Sequence, residues 1–182
     1  MKRLIALLLV LFSISTIVSA QRRTRPRLRQ PTAELSRLGP CHTDGVLPDS
    51  KCTPGAAYTK VTQRNIKRNI CVSGFTKTIR PSTSYTDPLK RSLMAKYGVG
   101  GSLGDYELDH LISLQLGGDP IAVKNLWPEA YAGKDGENGA RIKDRFEGYL
   151  KREVCARRMT LAEAQRQVAT DWLGNWTAAG KP

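Results

Sequence analysis

Hydrophobic positions recur along the chain with changing period, and each change predicts an element. Leu4 to Val18 is an almost unbroken apolar run behind Lys2 and Arg3, and it closes on Val18-Ser19-Ala20. A basic start, a run shorter than the roughly 20 residues that span a bilayer and small residues at a cleavage position predict a signal peptide over 1–20. The alternative is an uncleaved membrane anchor. Further on, Val61, Ile66 and Ile70 predict a short helix over 61–69, and Cys71 to Ile79 alternates as a strand would before Pro81 stops it. Thr86-Asp87-Pro88 opens a clearer helix, with Leu89, Leu93, Met94 and Tyr97 on one side and Gly98 beyond its end.

Gly98 to Gly104 reads as a flexible connector and Tyr106 to Leu111 as a strand. A loop containing Gly117-Gly118-Asp119-Pro120 then leads to an extended piece around Asn125 to Trp127. Beyond Gly133 the period becomes helical. Ile142, Phe146, Tyr149, Leu150 and Val154 make one stripe to about Cys155; Thr160 with Glu163 then forms a capping pattern ahead of Leu161, Ala164, Val168 and Trp172, a last helix ending near Gly174. Trp127, Trp172 and Trp176 read as packing residues, with base stacking as the alternative role. No internal repeat is visible.

Composition narrows what such a chain does. The 182 residues carry 29 Lys and Arg against 16 Asp and Glu, a net charge of +13, with 40% hydrophobic residues. That is globular composition, and the basic excess suits an anionic partner such as nucleic acid or an acidic membrane surface. Arg22, Arg23, Arg25, Arg27 and Arg29, interrupted by Pro26 and Pro31, predict an extended basic arm over 21–38, either a solvated linker or a polyanion-binding segment. Only two histidines are present, His42 and His110, which excludes a His-rich metal cage.

The four cysteines, Cys41, Cys52, Cys71 and Cys155, all follow the signal segment, and an even number in an oxidising compartment predicts two disulfides. Three connectivities are open. The turn-rich Thr43-Asp44-Gly45 and Leu47-Pro48-Asp49 favour Cys41 with Cys52, leaving Cys71 with Cys155. A zinc site is the alternative, without a CxxC pair or clustered histidines to support it.

The chemistry concentrates in Glu107 to Pro128, ELDHLISLQLGGDPIAVKNLWP. Asp109 and His110 are adjacent on a strand whose successive side chains point to opposite faces, so both reach one small target only where the strand bends or ends. A strand, a glycine-containing loop, a return strand and a helix would bring Asp109, His110, Asn125 and the start of the helix together. On the Asp-His pair, the Gly-Gly and the Asn-Leu that follows, the segment from Tyr106 to about Leu150 resembles the HNH endonuclease family of the ββα-metal group. The resemblance implies an α+β fold with a small ββα-metal core, which with a C-terminal helix would occupy 105–176; beside it the chain reads as an irregular disulfide-containing region over 39–104 packed on that core and a tail over 177–182.

In that family the histidine corresponding to His110 is the general base that activates water, and the aspartate corresponding to Asp109 is a ligand of a divalent metal. The asparagine corresponding to Asn125 holds the loop and orients the histidine. The chemistry is consistent with those roles. A phosphodiester needs a base to make the nucleophile and a cation to absorb developing charge, and oxygen ligands suit Mg²⁺ or Mn²⁺, with Zn²⁺ or Ni²⁺ as substitutes. One imidazole nitrogen must be held, by the Asn125 amide oxygen or by a backbone carbonyl. The family's proline after the Asp-His-Leu-Ile run is replaced by Ser113, and its third metal residue, a His or Asn early in the helix, has no histidine here. Asn138 is one substitute, or else the helix cap; Asp144 and Glu147 are others, or else solvated partners of Lys143 and Lys151.

Lys124, Lys134, Arg141, Lys143 and Arg145 cluster around this site in sequence and are candidates for positioning a backbone phosphate, or form a solvated face. The resulting expectation is a periplasmic or secreted, metal-dependent endonuclease that hydrolyses phosphodiester bonds of DNA or RNA with little sequence preference and has no membrane span once the signal is removed. The alternative is a non-catalytic nucleic-acid or polyanion-binding protein of the same fold, and a third reading is a cell-envelope module.

Overall fold

A computed structural model describes residues 31–133 and 136–181. The predicted signal segment and the arginines at 22–29 lie outside this range, as does Lys134. Among the described residues, five helices and two strands follow in the order α1 (Thr32–Arg37), α2 (Phe75–Ile79), α3 (Thr83–Tyr97), β1 (Tyr106–His110), β2 (Leu126–Ala130), α4 (Ala140–Cys155) and α5 (Leu161–Ala178), with short 3-10 turns between them. The architecture is mixed α and β, helices around one two-stranded sheet, with two disulfides, Cys41–Cys52 and Cys71–Cys155. Both pairings are the favoured ones. Among the described residues no helix is long and apolar enough to cross a membrane.

The main core lies between α4 and α5. Phe146, Leu150 and Val154 recur at helical spacing on α4 and meet Ala164, Val168, Trp172 and Trp176 of α5, with Ile66, Ile70 and Leu116 completing the cluster. A second cluster joins Tyr85, Leu89 and Leu93 of α3 to Val123 and Leu126, and a third sets Tyr97 and Trp127 against the Cys41–Cys52 bridge. The hairpin is therefore held between α3 and α4. All three tryptophans at 127, 172 and 176 are buried, the packing role expected of them.

Several boundaries differ from the sequence reading, each for a local reason. The 61–69 segment holds only a 3-10 turn at Ile66–Arg68, because the Asn65 side chain takes the Thr62 N–H and donates to the Lys60 carbonyl, offering the backbone a competitor to the helix. The strand read at 71–79 is instead turn followed by α2, since Phe75 and Ile79 sit one helical turn apart and no strand among the described residues pairs with them. Helix α3 begins at Thr83, before the predicted Thr86-Asp87-Pro88 start, because the apolar stripe begins with buried Tyr85, one turn ahead of Leu89; Pro88 lies inside it.

The predicted 21–38 arm is partly structured: Thr32–Arg37 is α1, which places Leu35 against Tyr85 and Leu89. The last helix runs past Gly174 to Ala178. Asp171 leaves helical geometry and its carboxylate accepts the Gly174 N–H at 2.9 Å, so a second helical segment restarts there and buries Trp176.

Candidate active site around His110

Strands β1 and β2 pair antiparallel with Glu107 opposite Glu129, Asp109 opposite Trp127 and His110 opposite Leu126. Residues opposed in a ladder share a face, so Glu107, Asp109, Trp127 and Glu129 all project from one side of the hairpin. His110 is the last residue of β1, where the chain turns, and this lets neighbouring side chains serve one site.

The loop between the strands is fixed by Asn125. Its Oδ1 accepts the Ile112 N–H at 2.9 Å and the Ala56 N–H at 3.2 Å, while its Nδ2 donates to the carbonyls of Ile112 and Asp119, both at 3.0 Å. Every polar position of this fully buried amide is thus used on backbone. Gly118 is required by the same closure: a Cβ there would sit 1.6 Å from the Ile112 carbonyl oxygen. Asn125 orients His110 only through the loop, because the ring's own partner is the Pro120 carbonyl, 3.2 Å from Nε2. The backbone-carbonyl alternative is therefore the one the structure adopts. A carbonyl only accepts, so Nε2 carries the proton and Nδ1 is left as the acceptor. Burial pulls the His110 pKa down to about 4, against the opposing pull of Asp109, so the ring is neutral over the physiological range.

Behind the histidine lies a buried charge cluster. Lys143 Nζ donates to Asp109 Oδ2 at 2.8 Å, to Glu147 Oε1 at 2.6 Å and to the His110 carbonyl at 3.2 Å, and Asp109 Oδ2 also accepts from Trp127 Nε1 at 3.2 Å. Burial would raise the Asp109 pKa, but the adjacent ammonium outweighs it and holds the carboxylate low; the same attraction holds Lys143 above its ordinary value despite burial. Glu129 is fully buried, and neither of its carboxyl oxygens accepts from a donor among the described residues. Burial, reinforced by the Asp109 carboxylate, raises its pKa well above the ordinary carboxylate range. Burial also pushes Glu107 and Glu147 up to about 7 and raises Asp144.

Two cavities border the ring. One, of about 30 Å³, is lined by Glu107, Asp109, Asp144, Glu147 and Arg80 together with His110. The other, of about 220 Å³, shares Arg80, Glu107 and His110 and continues along Thr83, Lys90 and Tyr131. The lining of the first is rich in hard oxygen donors, the class that Mg²⁺ or Mn²⁺ takes. Among the described residues no three His, Cys, Asp or Glu side chains converge into a ready ligand cage.

The structure gathers some of the expected residues and separates others. Asp109, His110 and Asp144 line the small cavity, whereas Asn138 lies ahead of Gly139, the residue that precedes α4, and is not among the residues lining it. Lys143 is not a surface phosphate contact, and Glu147 is not a solvated partner: both are buried because their face of α4 turns inward against the hairpin. Lys124, Arg141 and Arg145 are exposed, and none of the three lines either cavity. Glu107, Glu129 and Arg80 were not singled out from sequence. The first was legible as the residue two before Asp109 on a strand; Arg80 carries no local signal. Comparison with known proteins returned no matching family model, curated protein or solved structure.

Proposed function

We propose that this chain is an exported, divalent-cation-dependent endonuclease that hydrolyses phosphodiester bonds of DNA or RNA with little sequence preference. In this reading the hairpin and α4 form a ββα-metal core of the HNH type. The observation that carries it is His110: a neutral imidazole at a strand end, one nitrogen held by the Pro120 carbonyl, its ring bordering a carboxylate-lined cavity. The leader-like start and the two disulfides support export to an oxidising compartment.

His110 Nδ1 takes the proton of the attacking water, a role open to it because burial makes the unprotonated ring its resting form. Pro120 fixes the tautomer, and Asn125 fixes the loop that carries Pro120. Arg80, on the rim of both cavities, would hold a non-bridging phosphate oxygen, and the exposed Arg141 and Arg145 of α4 would meet more distant backbone. Asp109 and Asp144, which line the small cavity beside His110, are the residues that would hold Mg²⁺ or Mn²⁺, with Zn²⁺ or Ni²⁺ as substitutes. Such an ion supplies positive charge for the phosphate and leaving oxygens. Lys143 compensates Asp109 from within and so keeps the base of the site intact on its own.

That internal compensation also favours a second reading, a nucleic-acid or polyanion-binding protein with no hydrolytic activity. The two part on one assay. Purified mature chain should nick supercoiled plasmid DNA or shorten RNA in Mg²⁺ or Mn²⁺ and stop in EDTA. Salt-sensitive binding without cleavage in any of the four metals would establish the second reading.

A further inference from the structure

A cavity of about 530 Å³ opens where the α4–α5 connection meets the 61–68 segment, and its lining carries Arg64, Lys67, Arg157 and Arg158 with no carboxylate among them. Arg158 is already engaged by Glu153 through two 2.7 Å hydrogen bonds. Arg64, Lys67 and Arg157 are exposed and have no ion-pair partner among the described residues. The two walls are clamped together. The Cys71–Cys155 bridge joins them on one side, and Gln63 Oε1 accepts the Leu161 N–H at 2.6 Å on the other. Arg157 stands at φ 63°, the left-handed position just past the helix end where glycine is usual, so a cation occupies a place that backbone preference alone would not give it.

Exposed cations also stand along the outer face of α4. Arg141, Arg145 and Arg152 are exposed and spaced by four and seven residues, which puts them on one face of the helix, opposite the buried Lys143, Phe146 and Leu150. From Lys143, which touches the His110 carbonyl, to Cys155 the helix rises about 18 Å, roughly five steps of a nucleic-acid strand at about 3.4 Å each.

We infer that the cleft formed by Arg64, Lys67 and Arg157 is a second nucleic-acid contact, which grips the phosphate backbone of the strand whose reacting bond lies at His110. The inference rests on the proposed nuclease reading for the identity of the polyanion. A nucleic-acid strand is long enough to reach both His110 and the cleft, whereas a short acidic peptide would need only the cleft. Guanidinium forks pair with phosphate oxygens in a bidentate manner, and two of the three cations without a partner are arginines.

The test is binding of a 20-base-pair duplex in EDTA across a salt series, so that cleavage plays no part. Neutralising the cleft with Arg64→Gln, Lys67→Gln and Arg157→Gly should make the slope of log K against log salt shallower by about 2.7, some 0.9 for each phosphate released. A charge-matched control, Lys51→Gln, Lys77→Gln and Arg91→Gln, removes exposed cations elsewhere and should change it by less than one. Equal slopes for the two variants, or a cleft variant that binds with the slope of the wild type, would overturn the inference. So would competition by polyglutamate as effective as that by DNA. A chain that never cleaves yet shows the slope difference refutes the nuclease reading and leaves the cleft assignment standing.

Discussion

Lys143 Nζ lies 2.8 Å from Asp109 Oδ2, a cation and an anion held together out of solvent between α4 and the β1–β2 hairpin. The pair joins the two elements that make the candidate site, and Glu147, one helical turn further along α4, closes it from the other side at 2.6 Å. Removing the ammonium leaves Asp109 as a buried carboxylate without compensation and takes from Glu147 its partner. Lys143→Met should therefore destabilise the fold by about 3–5 kcal/mol, and Lys143→Arg should not restore it, because a planar fork cannot replace a compact ammonium among three oxygens. Urea unfolding at neutral pH measures both; a loss under about 1 kcal/mol for the Met variant would show that the pair does not anchor the site.

His110 sets an acid limit. Its pKa is depressed to about 4 in the fold against about 6.5 when unfolded, so between these values the unfolded chain binds a proton that the folded one does not. The stability contribution is complete above about 6.5 and is lost as pH falls toward 4, a change on the order of 3 kcal/mol. Glu107 acts in the opposite sense. With its folded pKa raised to about 7, its contribution is complete below about 4.5 and lost as pH rises through 7. Comparing wild type with His110→Gln from pH 4 to 7 isolates the histidine: the wild type should lose its advantage progressively on acidification, and a constant difference would contradict the depressed pKa.

Asn125 is the tie that closes the loop. Asn125→Ala removes four hydrogen bonds and strands the Ile112 N–H and C=O in a buried place, a loss of about 2–4 kcal/mol. Asn125→Asp keeps both acceptor bonds but replaces the donor that serves Ile112 and Asp119, and should also lower stability. Hydrogen exchange at the Ile112 amide reads the effect locally, and protection unchanged in the Ala variant would contradict the assigned role.

The two disulfides should differ in weight. Cys71–Cys155 closes 84 residues and Cys41–Cys52 closes 11. Loop entropy assigns the first about 4.5 kcal/mol and the second about 3 kcal/mol. Paired Cys→Ser variants, compared by denaturant midpoint, should rank in that order; the long bridge also clamps the basic cleft, so its removal should flatten the salt dependence of binding as well.

Much of this was legible in the sequence because it rests on local signals. The stripe of Phe146, Leu150 and Val154 defines α4, and Asp109-His110 at the end of an alternating run marks the place where two faces can meet. Tyr106–His110 and the return strand were visible for the same reason, although β2 runs on through Pro128 to Ala130. What stayed hidden depends on register and on which helical face turns inward. Lys143 and Glu147 look like an ordinary exposed i, i+4 pair until the hairpin is packed on them. Glu129 acquires meaning only when it is placed opposite Glu107, and Arg80 arrives at the cavity rim from a segment read as a strand that instead forms α2.

The central claim is that His110 is the base of a phosphodiester hydrolase, and the most direct measurement is the single-turnover rate of DNA cleavage by the wild type and by His110→Gln at saturating Mg²⁺ or Mn²⁺. The account predicts wild-type cleavage and a loss of about 10²–10⁴-fold in the variant, with its duplex affinity retained. Comparable rates for the two proteins would contradict it.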